Sequence, residues 1–319
     1  MADATKQQLR PRYAASSDVG LIRERNEDSF LVFPRHRFVA VADGMGGHMS
    51  GDVASALAIA TLTDFCATTV GLDRTWPFPY DKDLSDEENC IVVSVRLANQ
   101  TVCARAARGA SESGMGTTVV TLMLTPDARQ AVVGHVGDSR CYRVRDGRIT
   151  QLTTDHSLVS EVSEIAPWLS EEEIKQLPSN YITRALGMGP DVVVDLLTTD
   201  TRPGDLYLLC SDGLNGMLKD QQMLETLLKE TDLDSRCREL VEDANDAGGT
   251  DNITIVLVEI EAAAAAADGL EQAAEFLHGG AIAALAGRPE LLGFGDGDDT
   301  DDGAHDGAYD DGVGDSSDD

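Results

Sequence analysis

Three aspartates stand beside a glycine where an apolar run ends. FVAVA runs into Asp43-Gly44, VVGHV into Gly137-Asp138 and LYLLCS into Asp212-Gly213, while Asp251 opens the last run of the chain. A single Asp-Gly pair is ordinarily a turn. Several carboxylates carried to one rim of a sheet are different, because they repel one another unless cations lie between them. An all-oxygen donor set without His or Cys suits hard octahedral ions, Mg(II) or Mn(II), rather than zinc. Two such ions about 3.5 to 4 Å apart acidify a bridging water and clamp an in-line phosphoryl displacement, so the chemistry is phosphoester hydrolysis. A substrate phosphate then calls for a planar, permanently charged donor, and Arg23, five residues ahead of Asp28, is the candidate, although its position alone also allows a surface arginine.

The elements that must hold these groups are mostly strands. Eight short β-branched or apolar runs fall at residues 30–33, 38–42, 117–124, 131–136, 141–144, 192–197, 206–210 and 253–260. Asp146-Gly147 is a two-residue hairpin signal of the kind that needs positive φ, which predicts antiparallel neighbours. Helices are fewer and longer. Residues 85–108 begin with a capping box, Ser85 with Glu88, and continue with Ile91, Val95, Ala98 and Val102 at spacings of 4, 3 and 4, a face that should pack on a sheet. Further helices are expected over 51–70, 219–229 and 233–247. Residues 157–181 have weak strand pattern and a second capping box, Ser170 with Glu173, so they read as a small helical flap.

Composition limits the partners. The chain of 319 residues carries a net charge of −31, which argues against nucleic acid or an anionic membrane as the main partner. No uncharged apolar run approaches the roughly 18 to 20 residues of a membrane helix, and the start has no secretory signal, so the expectation is a cytoplasmic protein. Six dispersed cysteines without CxxC spacing read as structural thiols in a reducing compartment. Residues 1–14 look like a loose leader and 15–261 like one domain. Residues 262–319 hold fifteen acidic residues and one arginine: an alanine run and a short helical pattern through Leu270, Ala274 and Leu277, then an Asp/Gly-rich tail expected to be disordered. No calcium-loop spacing occurs in that tail. A monomer is expected, since no long heptad appears.

Taken in order, Arg23-x-x-Asn26-Glu27-Asp28, Asp43-Gly-Met-Gly-Gly-His48, Gly114-Met-Gly-Thr-Thr118, Gly137-Asp-Ser-Arg140, Ser211-Asp-Gly213 and Thr250-Asp-Asn252 make a series that resembles the metal-dependent type 2C Ser/Thr protein phosphatases, particularly their bacterial branch. Each motif alone is weak; six in order over residues 15–261 are specific. The resemblance implies an α+β fold, a four-layer α/β/β/α sandwich of two antiparallel sheets flanked by helices. It implies two Mn(II) or Mg(II) ions held by Asp43, the Gly44 carbonyl, Asp212 and Asp251, with Asp138 at the position that helps hold a third. Glu27 and Asp28 fall on acidic positions around the centre, acting through metal-bound water, and Arg23 on the phosphate-binding arginine.

The expected activity is hydrolysis of phosphoserine and phosphothreonine in proteins by a metal-bridging hydroxide, with a Ser/Thr kinase as the opposing partner. The alternative is a catalytically silent regulator that binds phosphoproteins on the same fold. One position departs from the family: where some members carry a histidine after Asp-Gly, this chain has Met45, which transfers no proton. His48 or metal-bound water could protonate the leaving alcohol, and His48 could equally support its loop. His135, inside a strand, reads as packed, and His156 stands at the entrance to the flap.

Overall fold

Strands covered on both faces show no polar alternation, which is why the central runs of this sequence are nearly continuous in apolar residues. The computed structural model describes residues 8–46, 50–68, 76–108, 114–178, 181–263 and 276–278. The chain runs through β1 (Leu9–Asp18), β2 (Asp28–Phe33) and β3 (Phe38–Met45) into α1 (Gly51–Thr68) and α2 (Asp86–Ala106). β4 (Gly116–Thr117), β5 (Val119–Leu124), β6 (Gln130–Val136), β7 (Arg140–Arg145) and β8 (Arg148–Gln151) follow. Two short helices, α3 (Leu158–Ile165) and α4 (Glu171–Ile174), precede β9 (Asp195–Asp200) and β10 (Leu206–Cys210). The chain then passes α5 (Asp212–Asn215), α6 (Asp220–Leu227) and α7 (Leu233–Asp246) to reach β11 (Ile253–Ala262) and β12 (Phe276–His278).

Two sheets result, in the orders β1-β11-β10-β7-β8 and β12-β2-β3-β5-β6-β9, with β4 on β3. Alternate side chains of each strand serve different layers. In β10, Leu206, Leu208 and Cys210 pack with Met223, Leu227, Cys237 and Leu240 of α6 and α7. Tyr207 and Leu209 join Val39, Val41, Val120 and Leu122 between the sheets. In β3, Phe38, Ala40 and Ala42 meet Ile59, Leu62, Ile91 and Val95 of α1 and α2. The outcome is the α/β/β/α sandwich. All pairings in the ladders are antiparallel. The β7–β8 hairpin turns on Asp146 (φ 52°) and Gly147 (φ 71°), as its two-residue loop requires. Ser85 caps α2: its Oγ accepts from the Glu88 N–H at 3.1 Å while Glu88 Oε2 accepts from the Ser85 N–H at 2.7 Å. Among the described residues no helix is long and apolar enough to cross a membrane.

Four expectations are corrected. Residues 9–14 are not a loose leader but the first part of β1, whose ladder with β11 runs from Leu9 opposite Ala262 to Asp18 opposite Ile253. The strand lies at a sheet edge, so it tolerates Pro11 and keeps a polar outer face on which Arg12 pairs with Glu259 and Glu261. The run at 117–124 breaks at Thr118. The strand expected over 192–197 lies at 195–200 instead. Val192 is buried in the layer under α2, while Asn99 donates to the carbonyls of Gly189 and Pro190 and holds that stretch as a loop, so the apolar run marks burial rather than a ladder. Finally, residues 276–278, inside the expected tail, pair with β2 as a strand, where a helical pattern through Leu277 was expected; the Asp/Gly-rich stretch lies outside the described residues.

Candidate metal centre

The carboxylates meet at one end of both sheets. Asp28 starts β2 directly opposite Asp43 near the end of β3. The Gly44 N–H donates to the Glu27 carbonyl at 3.2 Å. The break at Thr118 fixes Asp43: the Thr118 N–H donates to the Asp43 carbonyl at 2.9 Å, and the Asp43 N–H donates to Thr118 Oγ1 at 3.1 Å. Thr118 Oγ1 also meets Ser139 Oγ at 2.7 Å, tying the Asp43 backbone to the connection that carries Asp138. Glycine is required where this loop meets α1. A Cβ on Gly44 would lie 2.1 Å from the Gly51 carbonyl oxygen and 2.5 Å from that of Glu27.

The other sheet supplies Asp212, which follows β10, and Asp251, which precedes β11. Their loops touch so closely that a Cβ on Gly213 would stand 2.0 Å from the Asn252 carbonyl oxygen. Asn252 pins the connection between β1 and β2 at three residues. Its Nδ2 donates to the carbonyls of Val19 and Arg25 at 2.9 Å each, and its Oδ1 accepts from the Glu27 N–H at 2.8 Å. Ser211 bridges the sheets, donating from Oγ to Asp28 Oδ2 at 2.7 Å and accepting from the Thr254 N–H at 3.0 Å. At the rim, half-exposed Arg23 donates from Nη2 to Asp251 Oδ2 at 2.7 Å.

Burial and mutual repulsion act together on Asp28, Asp43, Asp138 and Asp212. Burial pushes Asp28 up to about 7, with Asp212 and Asp251 adding to the effect and the Ser211 hydrogen bond opposing it. Asp138 is also pushed up to about 7, by burial first and then by Asp212 and Asp155. Asp43 lies well above the ordinary range through burial and then the charges of Asp28, Asp212, Asp138 and Asp251. Asp212 is raised by burial and by Asp251, and Glu27 by burial and then Asp52. Asp28 Oδ1 and Asp138 Oδ1 are buried with no hydrogen-bond partner. Orphaned carboxylate oxygens among mutually repelling acids, with no nitrogen or sulfur donor in the set, fit hard divalent cations.

Asp43, Gly44, Asp138, Asp212, Asp251, Glu27, Asp28 and Arg23 are thus gathered at one end of the sandwich; His48 lies outside the described residues. His135 is buried as expected, its Nε2–H donating to the Thr154 carbonyl at 2.8 Å. His156 is buried rather than presented at the flap entrance. Its Nδ1 accepts from the Gly137 N–H at 3.0 Å, which leaves Nε2 to donate to Asp195 Oδ2 at 3.1 Å. The two imidazoles and Asp195 lie close enough to hold a metal. That tautomer puts a proton where such an ion would bind, so the group is a structural tie. The flap folds as α3 and α4, closed at its base by Ser157 opposite Ile182 and by the Leu158 N–H on the Tyr181 carbonyl. Sequence reasoning did not single out Thr118, Ser211 and Asn252 as positioning residues. All three stand inside the quoted motifs, and a hydroxyl or amide flanking a strand-end aspartate is the signal that could have found them.

Known proteins resemble this chain in sequence and fold. The serine/threonine phosphatase stp of Listeria innocua is 35% identical over 246 residues, covering 76% of this chain and 93% of that protein. The serine/threonine protein phosphatase PstP of Mycobacterium tuberculosis is 38% identical over 249 residues, which are 78% of this chain and 45% of that longer protein. The PstP catalytic domain, solved in complex with two manganese ions, superposes with a TM-score of 0.67 at 35% identity, covering 79% of this chain and 99% of that one. Residues 23–248 match the family described as Protein phosphatase 2C, and the chain belongs to that family.

Proposed function

We propose that this chain is a metal-dependent protein serine/threonine phosphatase that hydrolyses phosphoserine and phosphothreonine, and that the gathered carboxylates are its metal centre. The observation that carries the reading is the convergence of Asp43, Asp138, Asp212 and Asp251 from both sheets on one end, with buried oxygens of Asp28 and Asp138 lacking any protein donor. The assigned activity agrees with that of the relatives at 35–38% identity, and manganese with the two ions in the PstP catalytic domain.

In this reading Asp43, the Gly44 carbonyl, Asp212 and Asp251 hold two divalent ions, Mn(II) or Mg(II), and Asp138 contributes to a third. Bound there, the ions supply an acidified water and neutralise charge on the phosphoryl group. The chain's own residues do the rest. Glu27 and Asp28 would accept hydrogen bonds from the water of bound ions; the Ser211 hydroxyl holds Asp28 Oδ2, and Oδ1 is buried with no protein donor. Arg23 has one edge on Asp251 and its remaining donors available for two phosphate oxygens, which orients the phosphorus in line. Met45 beside Gly44 cannot donate a proton to the leaving alcohol, so that proton comes from His48 or from water. Phosphorylated proteins are the substrates and a Ser/Thr kinase the opposing enzyme, and we place the reaction in the cytoplasm with a monomeric enzyme.

The deciding experiment is hydrolysis of a phosphothreonine peptide by the purified chain with Mn(II), with Mg(II) and after chelation, beside Asp212→Asn. Turnover that needs metal and disappears in the variant supports the assignment. A folded protein that binds the peptide but hydrolyses it with neither metal would overturn the assignment in favour of the silent regulator.

A further inference from the structure

The end of α1 meets the start of α2 through two sulfurs. Cys66 lies in the last turn of α1 and Cys90 in the second turn of α2, with Sγ to Sγ 3.8 Å. Neither is in a disulfide. Closing that gap to the roughly 2.05 Å of a disulfide asks each sulfur to move about 0.9 Å. The pair differs in access: Cys66 is 2% exposed, whereas Cys90 is half-buried. Both line a cleft of about 230 Å³ together with Arg35, His36, Arg37, Asp86 and Glu87. With about 30 Å³ per water molecule, such a cleft admits a small polar oxidant.

We propose that Cys66 and Cys90 form a reversible oxidation site, which hydrogen peroxide converts into a disulfide tying the end of α1 to the start of α2. Cys90 reacts first, because it is the more accessible of the two residues on this cleft. Cys66 keeps its proton, since its hydrogen bond to Cys90 and then its burial raise its pKa. Cys90 loses its proton and attacks one peroxide oxygen; the O–O bond breaks, water leaves, and the sulfur is oxidised to a sulfenic acid. Cys66 then attacks that sulfur as its proton passes to the departing oxygen; the S–S bond forms, the S–O bond breaks and a second water leaves. Two thiols have lost two electrons and the peroxide has gained them. The remaining cysteines are less suited. Cys141, Cys210 and Cys237 are buried in apolar layers that raise their pKa values, and Cys103 Sγ donates to the Gly189 carbonyl with no second thiol beside it.

Fifteen residues of helix, about 22 Å at 1.5 Å per residue, separate Cys66 from Gly51 beside the metal centre, so oxidation should leave turnover intact. What it changes is the chain between the helices, because the bond closes a span of 24 residues. The test uses the full chain loaded with Mn(II), treated with a small molar excess of hydrogen peroxide, alkylated, digested and mapped by mass spectrometry without reduction. We expect a Cys66–Cys90 linked peptide that dithiothreitol reverses, and a Tm higher by about 5 °C or more than that of the reduced protein. In Cys66→Ser, dimedone should label Cys90; in Cys90→Ser, Cys66 should stay alkylatable. Recovery of both cysteines as alkylated thiols after Cys103 has been oxidised would overturn the proposal. So would a disulfide that joins either one to another cysteine or another copy of the chain.

Discussion

Replacing Gly213 by alanine tests the metal centre without touching a single carboxylate. Gly213 lies within the short helix α5, where alanine is a good residue, so contact alone decides the outcome. The new Cβ would stand 2.0 Å from the Asn252 carbonyl oxygen and 2.9 Å from its carbon, both backbone atoms that cannot rotate away. Even the shortest Cβ contacts that proteins tolerate, near 3.0 Å, require the loops of Asp212 and Asp251 to part by about 1 Å. A displacement of that size at reacting groups costs on the order of 100-fold, about 2.7 kcal/mol in the transition state, with about 1–3 kcal/mol of stability lost to overpacking. The assay is kcat/KM on a phosphothreonine peptide at saturating Mn(II), with Mn(II) affinity and Tm measured alongside. Gly189→Ala is the control, since its added carbon would meet nothing closer than 3.9 Å. A kcat/KM for Gly213→Ala within threefold of the parent, at normal metal affinity, would refute the claim that the spacing of these two loops sets the centre.

Other predictions separate ligand, phosphate and stability roles. Asp43→Asn should abolish turnover with the fold retained and Mn(II) stoichiometry reduced, whereas Arg23→Ala should raise KM with metal content preserved, both read by steady-state kinetics and metal analysis. Without metal, the raised values of Asp28 and Asp138 mean that the folded state binds more protons than the unfolded state between about pH 4 and pH 7. Stability of the chelated protein should therefore fall as pH rises through that window, and Mn(II) should raise Tm more at pH 8 than at pH 5; a chelated Tm that climbs from pH 5 to pH 8 contradicts the assignment. Asp205 is 1% exposed and takes two hydrogen bonds from Arg145, at 2.6 and 2.7 Å, so Asp205→Ala should cost about 3–5 kcal/mol in urea unfolding. A loss under 1 kcal/mol would mean that Asp200 takes over the arginine.

The sequence was most readable where one local rule decides the structure. The Ser85–Glu88 box, the Asp146-Gly147 turn and the apolar runs of the central strands each carry their own signal, and each appears where it was expected. Edges were the hard part. β1 and β9 have one polar face and draw their pairing from a distant partner, so composition marked one as leader and shifted the other. The acids of the centre were legible as strand-end aspartates, but their supports were not. Thr118, Ser211 and Asn252 act through hydrogen bonds to partners up to 233 residues away in the chain, and no periodicity encodes that distance. His156 shows the converse limit: its place in the sequence put it at the entrance to the flap, while the Gly137 N–H holds it inside.

The carboxylates of the centre belong to different sheets. Asp28 and Asp43 come from one, Asp212 and Asp251 from the ends of strands in the other, and Asp138 from the connection between β6 and β7 that crosses from the first to the second. A cation held among them is therefore a rivet through the sandwich, loaded by any sliding of one sheet over the other. Substitutions deep in the layer between the sheets, around Val41, Val120 and Val256, then act on metal affinity through the angle and offset of the two sheets, far from any ligand. In such an enzyme the packing of the core and the loading of the cofactor are one mechanical variable, and metal binding reports how well the two halves fit.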